Sequence, residues 1–261
     1  MQGCRVLPGY AELAKEESRD RRFNTSILVG PDGRIVGKYR KIHLPGHADD
    51  RPEACYQHLE KKYFEVGNLG FKVWKMFKHE VIVGQCICND RRWPETFRVM
   101  GLKGAEMVVL GYNTPSDNVY APHEPPYLRV FHHSLSIQAA AYQNGIWVLA
   151  ASKAGKEDGF WLHGGSAIVT PTGEIVAKAT TEEDEVISYD CDMGLGEYIR
   201  NRRGPRLAAK PPPALTPRRD QQGVQPRRTT TRTVDMLIDG LVRGITFRMP
   251  VAFQPSCDLL G

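Results

Sequence analysis

The chain has 261 residues, 41% hydrophobic and 9% aromatic, enough to bury a core as one large domain or two small ones. No run reaches the roughly 18 apolar residues of a membrane span, the first residues hold no apolar signal segment, and six scattered cysteines do not form a small disulfide framework, so a cytoplasmic setting is expected. The net charge of +5 is uneven: residues 200–232 hold ten Lys+Arg and one Asp, a local +9 that leaves −4 elsewhere, so a nucleic-acid partner is not read from the overall charge.

Residues 23–29 (FNTSILV) read as a strand, followed by the turn Pro31-Asp32-Gly33 and a second strand over 34–40, together a hairpin. Residues 43–50 are polar and broken by Gly and Pro, which predicts a loop. Strands are expected over 71–76 and 81–88, then a short helix over 95–103 with Pro94 at its first position. An apolar strand over 106–110, a helix over 128–143 and a buried strand over 146–151 follow. Residues 166–170 and 174–179 flank Pro171-Thr172-Gly173 as another hairpin, and 186–191 is the last clear strand. Hairpins mixed with strand–helix–strand units predict an α/β fold with a mixed sheet. Three segments are expected: a body over 1–196, an Arg/Pro-rich and disordered stretch over 197–233, and a tail over 234–261 that regains apolar residues.

The chemistry concentrates in GQCICNDRRWPE, residues 84–95. Cys88 ends an apolar strand just before a helix start, and a helix N-terminus with nearby cations lowers a thiol pKa from its usual ~8.5. That is the thiol counterpart of a nucleophile elbow. Cys86 reads as a small buried hydrophobe; no second CxxC or histidine cluster completes four metal ligands, so no metal or other cofactor is expected. Arg91 and Arg92 fit two readings equally: a solvated turn, or a guanidinium fork for a substrate carboxylate. In KYRKIHLPGH, residues 38–47, cations stand where a strand becomes a loop, and a lysine there could meet a developing oxyanion.

KYRKIHLPGH, HLEKKYFE (58–65), CNDRRWPE and GYNTP (111–115) stand in the order and spacing of the nitrilase, or carbon-nitrogen hydrolase, superfamily, and most resemble its N-carbamoyl-D-amino-acid hydrolase (D-carbamoylase) branch. FNTSILV, FHHSLS, AAAYQNG and PTGEIVA add to the resemblance, which covers about residues 9–192. It implies an αββα sandwich and hydrolysis of N-carbamoyl-D-amino acids to D-amino acid, carbon dioxide and ammonia through a carbamoyl-enzyme on Cys88. It implies Lys41 as oxyanion stabiliser, Glu60 as the extra glutamate beside the triad, and Arg91 and Arg92 as the grip on the substrate carboxylate. His58, Asn89, Asn113 and Thr114 would line the pocket, without cofactor, membrane or nucleic acid, in a homo-oligomer. The alternatives are another amidase of the superfamily or a truncated, impaired homologue.

Two departures shape these expectations. The family's first catalytic glutamate belongs to an FPE-like strand end that is not found; about 40 residues precede Lys41, too few for a first strand–helix–strand part beside the 23–40 hairpin. The sandwich is therefore expected to be incomplete at its N-terminus. From about Leu195 the sequence no longer resembles the family.

Overall fold

In the computed structural model the described residues are 8–30, 32–52, 57–76, 81–118, 121, 123–202 and 245–248. The nearly continuous apolar runs of the middle of the chain become the strands of one six-stranded sheet. Its members are β4 (Val73–Met76), β5 (Val81–Ile87), β6 (Met107–Tyr112), β7 (Trp147–Ser152), β10 (Ala167–Val169) and β11 (Ile175–Lys178). They lie in the order β11-β10-β7-β6-β5-β4. The central pairs β5–β6 and β6–β7 are parallel, and the outer pairs are antiparallel. Parallel strands covered on both faces need apolar residues at every position, and β7 is buried along its whole length.

Alternate residues of β6 feed the two faces. Val108 and Leu110 pack with Phe97 and Met100 of helix α2 (Pro94–Leu102) and with Ile137 and Ala141 of helix α3 (Tyr127–Asn144). Met107 and Val109 pack on the other face with Val81, Val83, Trp147, Leu149 and Leu28. Leu28 belongs to a second, three-stranded antiparallel sheet of β1 (Gly9–Glu16), β2 (Arg19–Val29) and β3 (Ile35–Arg40). A helical layer thus covers one face of the large sheet and a second sheet covers the other. The expected mixed α/β fold is present.

Most predicted elements appear within a few residues of their places. The 23–40 hairpin, the helices at α2 and α3, and the 166–179 hairpin are all present. The hairpin of β8 (Ala154–Glu157) and β9 (Phe160–His163) and the short helix α1 (Glu60–Tyr63) were not expected, and β1 was expected only through the resemblance of GYAEL to a strand of the family. Helix α4 (Met193–Arg202) runs past the 196 boundary, and Arg200 Nη1 donates to Gly145 O at 2.6 Å, tying it to the left-handed C-cap of α3. Strand β13 (Ile245–Arg248) pairs in parallel with β12 (Ile187–Asp190). The remainder of the Arg/Pro-rich segment and of the tail lies outside the described residues. No helix among the described residues is long and apolar enough to cross a membrane.

Candidate active site

Sites in open α/β sheets form beyond the carboxyl ends of parallel strands. Strand β5 ends at Ile87, and the chain turns through the 3₁₀ segment Cys88–Arg92 into α2. Cys88 sits at φ +48°, a left-handed conformation costing a non-glycine residue about 1–3 kcal/mol. The surroundings must impose it, and Asp90 does much of that. This carboxylate is fully buried, and its Oδ2 accepts from the Ile87 backbone N–H at 3.0 Å and the Tyr39 hydroxyl at 2.8 Å. Its Oδ1 accepts from the His43 N–H at 2.9 Å and lies 2.9 Å from His43 Nδ1. The ring of His43 is flanked by Phe71 and Trp93 at 5.9 and 5.7 Å. The elbow is therefore pinned from below by β3 and the loop that follows it.

Alternation along β3 sorts its charges. Arg40 turns away from the elbow, stacks over Phe23 at 3.9 Å, and pairs with Glu12 and Glu16. Tyr39 and Lys41 point the other way. Lys41 is 2% exposed, and its Nζ meets both oxygens of Glu60 at 2.7 and 2.6 Å. Glu60 opens α1 and also accepts from Asn24 Nδ2 of β2 at 2.5 Å. The backbone holds this pair in place: Lys41 N–H donates to Asn24 O, and Gly67 N–H donates to Lys41 O, each at 2.8 Å.

These charges decide the state of the thiol. Burial pushes Cys88 up, but Lys41 and Arg91 outweigh it against the opposing charge of Glu60, and the pKa falls below its ordinary value. Arg91 Nη1 lies 3.8 Å from Cys88 Sγ and donates to Cys88 O at 2.7 Å. Cys86, two residues earlier, is wholly enclosed by apolar side chains, and its pKa is raised well above the ordinary value by burial. Of these two cysteines, only Cys88 has its pKa lowered.

The structure separates the two arginines. Arg91 is 2% exposed; besides Cys88 it donates from Nη2 to Thr114 Oγ1 at 3.0 Å and lies over the Tyr112 ring at 4.4 Å. Arg92 is exposed and has no hydrogen bond or ion pair among the described residues. Its pKa is lowered by desolvation and then by the like charges of Arg91 and Arg129. Thr114 is buried as the partner of Arg91, while Asn113 beside it is exposed. Asn89 turns its amide to His43 O at 3.1 Å and so braces the loop. His58 stands beside Glu60 and Lys41; its pKa is lowered by burial, against the raising effect of Glu60, so it is neutral at pH 7. Cys88, Lys41, Glu60, Asn89, Arg91 and Thr114 are thus linked by contacts near the end of β5, while Asn113 is marked only by its exposure beside Thr114.

Asp90, Tyr39, His43 and Asn24 were not singled out from sequence. Asp90 had one signal, an acid at the third position of a turn, able to reach back to the N–H before it. A second group behind Arg91 was also missed: Tyr112 OH lies 2.8 Å from His133 Nε2 and donates to the carbonyls of Gly164 and Gly165 at 3.2 and 3.1 Å. His163 stands 5.6 Å from both rings, and burial brings its pKa down to about 4.

Residues 2–201 match the carbon-nitrogen hydrolase family model. The chain belongs to the carbon-nitrogen hydrolase family. It is 32% identical over 201 residues to a nitrilase of Pyrococcus abyssi, covering 77% of this chain and 63% of that one. It is 36% identical over 175 residues to a citrullinase of Francisella tularensis, covering 66% and 56%. An N-carbamoylputrescine amidase of Solanum lycopersicum is 34% identical over 196 residues, covering 72% and 60%. The chain therefore spans less than two thirds of the length of these relatives. Among solved structures, the fold resembles a carbon-nitrogen hydrolase from Helicobacter pylori, with TM-score 0.60 and 24% identity over 76% of this chain and 65% of that one. An amidase from Nesterenkonia sp. AN1, seen with an acetamide moiety on its active-site cysteine, follows at TM-score 0.53 and 22% identity over 69% and 58%.

Proposed function

We propose that the chain hydrolyses the carbamoyl C–N bond of N-carbamoyl-amino acids, and of the D-series by its resemblance to D-carbamoylases. The observation that carries this reading is the uncommitted guanidinium of Arg92 on the same short turn as the Cys88 thiol. Two relatives, a citrullinase and an N-carbamoylputrescine amidase, are named for substrates that carry a ureido group. Carbamoylputrescine ends in an amine, which a cationic rim repels, whereas a carbamoyl amino acid brings a carboxylate to it.

In this mechanism the Cys88 thiolate attacks the ureido carbon. The tetrahedral oxyanion forms against Lys41, which Glu60 keeps oriented. Collapse expels the amino acid, whose nitrogen takes the former thiol proton relayed by Glu60, and leaves a carbamoyl group on sulfur. Water then attacks that carbonyl; Glu60, the carboxylate whose charge acts on Cys88, accepts one of its protons, the Cys88 thiolate leaves, and the carbamic acid released decomposes to carbon dioxide and ammonia. Arg92 holds the substrate carboxylate. Arg91 fixes the elbow and Thr114, while His58, Asn89 and Asn113 line the approach.

The test compares N-carbamoyl-D-alanine, N-carbamoylputrescine and a simple neutral amide as substrates, with wild type and Arg92→Ala. Turnover of the carbamoyl amino acid is expected, with KM raised about tenfold or more by Arg92→Ala, the loss of a charge-assisted pair. Turnover of the neutral amide alone, or an unchanged KM in the variant, contradicts the reading.

A further inference from the structure

Arg92 is not the only uncommitted cation at this mouth. Arg129 lies in the first turn of α3, and its Nε donates to Pro115 O at 3.3 Å. Pro115 directly follows Thr114, whose hydroxyl holds Arg91, so a chain of bonded neighbours runs from Cys88 through Arg91, Thr114 and Pro115 to Arg129. The anchor at Nε aims the guanidinium and leaves both Nη groups without an acceptor among the described residues. Its charge is felt by Arg92, His58 and His163, which places it among the groups that surround the site.

The nearby acid makes no ion pair with either arginine among the described residues. Glu124 acts on Arg92, but its Oε2 accepts from Asn118 Nδ2 at 2.5 Å and its Oε1 lies 3.7 Å from His132 Nδ1. Glu60 is taken by Lys41 and Asn24. Two like-charged guanidinium forks with open donors repel each other unless anions lie between or upon them. A bidentate pair takes both oxygens of a carboxylate along one edge. The second fork, anchored on a different segment, is open to a second anionic group on the same molecule.

We infer that the preferred substrate is a carbamoyl amino acid with an acidic side chain, whose α-carboxylate is held by Arg92 and whose second carboxylate is held by Arg129. The inference rests on the carbamoyl-amino-acid reading of Cys88 and adds the side-chain class and the residue that selects it.

The experiment has two readouts, so the two readings fail separately. Calorimetric binding of N-carbamoyl-D-glutamate, N-carbamoyl-D-aspartate and N-carbamoyl-D-alanine to the Cys88→Ala protein measures recognition without turnover. The kcat/KM values for the same three compounds measure catalysis in the parent protein. Both are repeated with Arg129→Ala and Arg129→Lys. An acidic compound should be preferred over the alanine compound about ten- to a hundredfold, and Arg129→Ala should collapse that ratio while Arg129→Lys keeps part of it. Equal affinity for acidic and alanine compounds, or a preference that survives Arg129→Ala, overturns the role of Arg129. Arg129-dependent binding without hydrolysis would leave the second-carboxylate site standing and remove the carbamoylase reading instead. Should Arg129→Ala lose its cooperative urea transition, Arg129→Lys alone decides: a single weakened cation must lower the ratio, and an unchanged ratio overturns the role.

Discussion

Lys41 and Glu60 form a bidentate ion pair, with Nζ 2.7 and 2.6 Å from the two carboxylate oxygens, behind the nucleophile of the candidate site. Lys41 is almost completely enclosed, and a buried charge is kept only when it is paired. In the proposed mechanism the pair presents a cation to the reacting carbonyl, and that cation helps hold the Cys88 thiol below its ordinary pKa. Lys41→Met removes the cation while keeping the stem's volume. The pH midpoint for alkylation of Cys88 by iodoacetamide should move upward, since the lowering charge is gone, and kcat should fall about a hundredfold or more with the loss of an oxyanion contact. Alkylation is read directly by mass spectrometry after timed quenching.

Asp90 should prove as important to the elbow as any residue that touches substrate. It organises Ile87, Tyr39 and His43 around a nucleophile held in a strained conformation. Asp90→Ala leaves several buried donors without an acceptor, and a loss of about 3 kcal/mol in urea unfolding is expected. Asp90→Asn keeps the shape but replaces one accepting oxygen with a donor, so it should fold yet lower kcat more than it raises KM.

The three-stranded sheet carries an acid-sensitive lock. Glu12 accepts from Arg40, Lys38 and Thr25, and its pKa is lowered to about 2, chiefly by the Arg40 hydrogen bonds against the cost of burial. A depressed folded-state pKa gives stability that is fully present above the unfolded carboxylate range and is lost as pH falls towards about 2. Glu12→Gln should therefore lower the melting temperature at pH 7 and make little difference at pH 2. Calorimetric melting of both proteins across that interval checks the sign.

Gly46 fixes the loop that carries His58. Its φ is +80°, and a Cβ there would lie 1.9 Å from His58 O, the acceptor of the His47 N–H at 3.0 Å. Gly46→Ala must push the two segments apart, because the obstacle is backbone. Activity should fall more than stability, since the displaced segment leads directly into Glu60; matched urea curves and kcat/KM values would show it.

Much of this architecture could be read from the residues. The central strands announced themselves as apolar runs, and α2 announced itself through Pro94 at its first position. Strand β1 showed no apolar pattern and was legible only through the resemblance of GYAEL to a family strand, because GYAELAKE buries a single side chain, Glu12, whose burial depends on partners far along the chain. The β8–β9 hairpin did carry a local signal, Asp158-Gly159 with both φ values positive, but it joins a polar strand, AGKE, to FWLH, which is only four residues long. In the site, Cys88, Lys41 and Glu60 were legible through the family resemblance. The division between Arg91 and Arg92 was not, because a 3₁₀ turn sends successive side chains about 120° apart and only the tertiary setting decides which is enclosed. Asp90 was invisible for a similar reason: its partners Tyr39 and His43 come from another element.

The central claim is that Cys88, with Lys41 and Glu60, forms and releases a carbamoyl-enzyme. The most direct measurement is ammonia release from an N-carbamoyl-D-amino acid by the purified chain, with intact-mass detection of the adduct in rapidly quenched samples and Cys88→Ala as control. The account predicts ammonia release and a carbamoyl adduct, both lost in the variant. A folded, soluble protein that releases no ammonia and shows no adduct, or one whose release persists in Cys88→Ala, would contradict it.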